Sequence, residues 1–68
     1  MKRFFKCESN LNENLVYRVS QSREALNVAA EGEVILRLEE ITQIDAKNFI
    51  ESLGENVILV GPINFNDE

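Results

Sequence analysis

Sixty-eight residues with one cysteine and no histidine exclude an internal disulfide, a Cys/His zinc centre and any nucleophile activated by imidazole. A formal net charge of −5 repels phosphate and anionic lipid, so neither nucleic acid nor membrane is expected as a direct partner. No stretch approaches the roughly 20 apolar residues that span a bilayer, the start MKRFFKCESN lacks a signal-peptide apolar run, and a lone free cysteine suits a reducing compartment; the expected location is the cytoplasm.

The chain reads as one small α+β domain, residues 1–68. A domain of this size buries a modest fraction of its surface. With disulfides and zinc excluded, oligomerisation or partner binding is the usual remaining support.

Lys2 to Cys7 reads as a short strand, with Arg3, Phe5 and Cys7 on one face and Lys2, Phe4 and Lys6 on the other. Basic residues interleaved with phenylalanine also occur on single-stranded nucleic-acid platforms. The rest of the chain argues against that use: beyond residue 6 it holds twelve acidic residues against four basic ones. The favoured reading is an edge strand whose lysines discourage edge-to-edge pairing. Cys7 reads as a small buried hydrophobe, the commoner fate of a lone strand cysteine.

Glu8 to Asn14 is rich in turn formers and is expected to be a loop. Leu15 to Ser20 reads as a strand, with Leu15, Tyr17 and Val19 on one face and Val16 and Arg18 on the other. Two consecutive strands joined by a short loop are expected to pair antiparallel.

Residues 22–32, SREALNVAAEG, admit two readings. Ser22 and Gly32 suit the ends of a helix, but Leu26 and Val28 would then point to nearly opposite sides. A hairpin through Ala30-Glu31-Gly32 sets Val28 against Val34 and Leu26 against Leu36. The hairpin is preferred because it pairs apolar with apolar. Glu33 to Glu39 reads as a strand, with Val34, Leu36 and Leu38 on one face and Ile35 and Arg37 on the other.

The stretch from Thr42 to Val60 is the most legible. Ala46, Phe49, Ile50 and Leu53 recur at i, i+3, i+4 and i+7, one face of a helix. Thr42 with Asp45 resembles a capping box, and Gly54 stands where a left-handed C-cap belongs. Val57 to Val60 follows as a strand. Its apolar residues are continuous, so both of its faces are expected to be covered: one by the helix, the other by a loop, the tail with Ile63 and Phe65, a second subunit or a partner. The tail from Asn64 to Glu68 is expected to fray. The expected fold is therefore α+β: a small, mostly antiparallel sheet of four or five strands, with one main helix (about 42–53) packed on one face.

The residues do not assemble a recognised catalytic constellation. Glu39 and Glu40, adjacent in a strand, point to opposite faces. With Asp45 they offer only weak oxygen ligation and no EF-hand spacing. The three glycines are isolated and form no phosphate loop. No enzyme, metal or cofactor is expected. The expected function is a small acidic protein-binding or regulatory module. Its candidate partner-binding residues are Glu31, Glu33, Glu39, Glu40, Asp45, Glu51 and Glu55. Two alternatives use the same features. One is an acidic mimic of nucleic acid that blocks a basic nucleic-acid-binding protein; the other is a homo-oligomeric structural subunit.

Overall fold

The computed structural model describes residues 2–65. Its elements run β1 (Phe4–Leu11), β2 (Asn14–Ser20), α1 (Arg23–Ala29), β3 (Val34–Ile41), α2 (Gln43–Leu53), a 3-10 turn (Gly54–Asn56) and β4 (Val57–Val60). The four strands form one sheet in the order β3-β1-β2-β4. β1 is antiparallel to both β2 and β3, and β4 runs parallel to β2. The α+β class and the mostly antiparallel sheet agree with expectation.

β1 is longer than expected and central, not an edge. Glu8 to Leu11 continues the strand, because each residue finds a cross-strand partner: Glu8 opposite Tyr17, Ser9 opposite Val16, Asn10 opposite Leu15. The loop shrinks to Asn12-Glu13, both at positive φ (52° and 69°), as a type I′ hairpin turn requires. Asparagine tolerates this conformation; glutamate carries the usual β-carbon penalty.

Residues 22–32 form a helix where a hairpin was preferred. The Ser22 side chain accepts from the Ala25 backbone N–H at 3.1 Å, a standard N-cap. Leu26 and Ala30, four residues apart, are fully buried, while Val28 is 68% exposed. The separation of Leu26 from Val28 that counted against a helix is thus realised: one of the two goes to the core and the other to solvent. The proposed Val28–Val34 and Leu26–Leu36 pairs do not form, since β3 pairs with β1.

β3 also departs from simple alternation. A bulge between Glu8 and Ser9 in the ladder sets Arg37 opposite Glu8 and Ile35 opposite Ser9, leaving Leu36 without a partner on β1. The extra residue shifts the pattern by one. Ile35 therefore joins Leu38 on the face of Ser9 and Cys7, while Val34 turns to the face of Asn10.

α2 behaves as its spacing predicts. Thr42 Oγ1 accepts from the Asp45 N–H at 3.0 Å, and Gly54 closes the helix at φ 56° with its N–H donating to the Ile50 carbonyl. Ala46 is buried; Phe49, Ile50 and Leu53 are partly buried; Lys47, Asn48, Glu51 and Ser52 are exposed.

The main helix, α2, packs on one face of the sheet as expected, and a second helix, α1, covers the other. α1 lays Leu26 and Ala30 onto Phe5 and Cys7, with Leu38 and Val60 around them. α2 lies on the opposite face, where the Phe49 ring meets Tyr17 edge-on at 6.0 Å. The tail closes that face. Phe65 stacks on Phe4 at 5.3 Å, the Gln43 side-chain amide donates to the Phe65 carbonyl at 2.8 Å, and the Asn64 N–H donates to Gln21 at 2.8 Å. Residues 64 and 65 are therefore anchored; the fraying expected at 66–68 lies outside the described residues.

β4 is an edge strand, and its continuous apolar run is not covered on both faces. Ile58 and Leu59, which alternate across the sheet, are each 49% exposed. At an edge, with one flank unpaired among the described residues, the strand is only partly covered, by α1 on one face.

Candidate interaction surface

The seven candidate acids do not gather on one surface. Glu33 is withdrawn from solvent. The Arg18 guanidinium donates to both of its carboxylate oxygens at 2.8 Å, and the Ser9 hydroxyl donates to one at 2.6 Å. Arg18, Ser9 and Glu33 thereby make a nearly closed polar cluster on the α1 face. The guanidinium first, and the hydroxyl second, hold the Glu33 carboxyl at about 2, well below its ordinary 4.5. Its role is internal. Sequence reading missed this cluster; its signal was an arginine at the core-facing position of a strand, opposite Cys7.

Glu40 pairs with Arg3 through two hydrogen bonds of 2.9 and 3.0 Å, and that pairing lowers the Glu40 pKa. Glu39 points to the opposite face, as expected of its neighbour in a strand, and lies 3.5 Å from Lys6 and 3.6 Å from Arg37. Glu39 and Asp45 share an open cleft of about 350 Å³ with Lys6, Phe49 and Ser52. Glu51 stands on the solvent side of α2, Glu55 in the 3-10 turn, and Glu31 in the loop after α1. Basic side chains sit among these acids: Lys6 lies 5.1 Å over the Phe49 ring, and Arg37 flanks Glu39. Among the described residues, no group of three His, Cys, Asp or Glu side chains is placed to hold a metal. Cys7 is fully buried, and burial pushes its thiol pKa up, the reverse of an activated nucleophile.

Large apolar side chains are exposed on both helices (Val28, Ile44), at the β1–β2 hairpin end (Leu11, Leu15) and on both edge strands. On β3, Val34, Ile35 and Leu36 are 65%, 40% and 55% exposed, and one flank of the strand carries no partner among the described residues. α1 packs chiefly on β1, β2 and β4, and α2 on β1; on β3, Leu38 borders the α1 core and Glu39 and Ile41 line the cleft beside α2. On the far edge, Val60 with Ala25, Val28 and Ala29 of α1 lines a shallow apolar groove of about 530 Å³.

Comparison with family models, curated proteins and solved structures gives no match. No helix among the described residues is long and apolar enough to cross a membrane.

Proposed function

We propose that this chain is a non-enzymatic protein-binding module that docks its partner along the β3 edge of the sheet. The observation that carries this reading is an eight-residue strand with one flank open among the described residues and three large apolar side chains 40–65% exposed at its start. An open strand offers a row of backbone donors and acceptors, and the side chains beside it select what pairs there. The scattered acids, with Glu33 consumed internally, support a role in tuning approach and solubility.

The test is affinity capture at low and high salt with the wild type and Ile35→Lys. A partner docked on the apolar edge stays bound at high salt and is lost from Ile35→Lys, while the thermal stabilities of the two proteins agree. Release of every bound protein by salt alone, with Ile35→Lys indistinguishable from wild type, would refute the edge reading and return the acidic residues to the centre.

A further inference from the structure

We propose that the partner at this edge is a second copy of the chain, paired β3 to β3 about a two-fold axis through Leu38, so that two four-stranded sheets become one of eight. The inference rests on the edge-binding reading above and names its partner.

Symmetry and charge together select the register. Two copies that share the same edge antiparallel are related by an axis perpendicular to the sheet. That axis returns each face to itself, and residues opposite one another in an antiparallel pair share a face. One residue of β3 must therefore lie on the axis, opposite its own copy. An axis at Arg37 sets arginine against arginine. An axis at Glu39 or Glu40 sets glutamate against glutamate. Axes at Ile35 and Leu36 fall on the bulge, where the ladder is already irregular, and one at Ile41 engages only the end of the strand. The axis at Leu38 sets leucine against leucine and places Arg37 opposite Glu39 of the second copy, twice. Like charges directly opposite destabilise a strand pair and opposite charges stabilise it. Leu38 thus marks the one axis position from Arg37 to Glu40 at which no charge meets its like: Arg37 and Glu39 meet opposite charges, and Glu40 faces Leu36 at the bulge.

The geometry of the edge fits this use. The Arg37 and Glu39 side chains are 58% and 44% exposed, on the face opposite α1. The two lie 3.6 Å apart in the same chain. Pairing would extend that contact into a two-by-two array in which each charge has an opposite charge beside it along its own strand and across the axis.

The test is analytical ultracentrifugation of the wild type, Arg37→Glu, Glu39→Arg, and an equimolar mixture of the two variants. The wild type is expected to form a reversible dimer. Each variant alone faces two like-charge contacts across the axis, weakening self-association by about tenfold or more. In the mixture, a chain bearing glutamate at 37 and 39 meets one bearing arginine at both, and heterodimers return to wild-type affinity; a merely structural effect of either substitution would not be rescued by mixing. Amide exchange on the wild type serves as a check that needs no variant: protection at residues 37–40 should rise with protein concentration, while β4 stays unchanged. The proposal is overturned if Arg37→Glu dimerises like wild type, if the mixture stays monomeric beside a dimeric wild type, or if the concentration-dependent protection falls on β4. A monomeric wild type that holds a different protein through β3, resistant to salt, also overturns self-pairing but leaves the binding-module reading standing. A monomeric wild type that retains nothing overturns both.

Discussion

Leu26→Ala and Val28→Ala form the pair of substitutions that most directly tests how α1 is built. Leu26 is fully buried and packs with Phe5, Cys7 and Ala30, flanked by Leu38 and Val60. Truncating a leucine in such a site costs about 3–5 kcal/mol, part transfer and part cavity. A chain of this length has a total stability of roughly 3–10 kcal/mol, so Leu26→Ala removes much of it. With about 4–8 °C lost per kcal/mol in a domain this small, the melting temperature falls by at least about 12 °C. Val28, two residues away and 68% exposed, has little burial to lose, and alanine is the better helix former. Val28→Ala is expected to stay within about 0.5 kcal/mol of wild type. Thermal unfolding followed by far-UV circular dichroism measures both. In a hairpin the two side chains would share a face and cost comparable amounts; similar losses for both would refute the helix and the packing argued from it.

The Glu33 carboxyl is held at about 2 in the folded chain against an ordinary 4.5. A depressed carboxyl contributes stability above its unfolded value and loses it as pH falls toward its folded one. Melting temperature should therefore be flat above pH 5 or so and fall between about 4.5 and about 2, with Glu33→Gln less stable at neutral pH and flatter through the acid range; an unchanged acid slope would show that Glu33 does not carry the effect. Cys7, buried with its thiol pKa raised, should react with a thiol reagent at neutral pH only as fast as the chain unfolds, and rapid labelling of the native protein would contradict its place in the core. Glu13 sits at φ 69° in the hairpin turn, so Glu13→Gly should stabilise the chain by about 0.5–1 kcal/mol, the relief of a left-handed β-carbon less the added freedom of the unfolded state. A lower melting temperature for that variant would mean that the turn is not of this type.

The readings that succeeded drew on local physics. The spacing of Ala46, Phe49, Ile50 and Leu53, the cap at Thr42 and the glycine at 54 all act within one helix, so the sequence alone contains what decides them. The failures each depended on a distant neighbour. Glu8 to Leu11 is turn-forming by composition, but β2 supplies a partner for every residue, and tertiary pairing outweighs propensity. In residues 22–32 the apolar pattern favours a hairpin only if Leu26 and Val28 share one fate, whereas a seven-residue surface helix buries Leu26 and its C-cap Ala30 and leaves Val28 to solvent. The bulge at Leu36 and the edge position of β4 belong to the sheet as a whole, as does the Arg18–Glu33–Ser9 cluster, which joins two strands and the loop before β3. Of the seven acids proposed as a surface, composition identified the residues, but their directions were set by strand parity and helix phase: Glu33 inward, Glu39 and Glu40 apart.

The β3 edge carries the ordinary defences of an exposed strand, a bulge and interspersed charges. Both act selectively. The bulge at Leu36 interrupts pairing along the first part of the strand and leaves Arg37 to Ile41 regular. Arg37, Glu39 and Glu40 then reject any strand that sets like against like, including the chain's own copy displaced by two residues in either direction, which moves the axis onto Arg37 or Glu39. A charged edge is protected only against partners that fail to complement it, so the pattern that prevents indiscriminate stacking is compatible with the one self-pairing register proposed above. The same reasoning explains why β4 is the weaker candidate despite Ile58 and Leu59. It is four residues long and bears no charge, so it has little backbone to offer and nothing that distinguishes one register from the next.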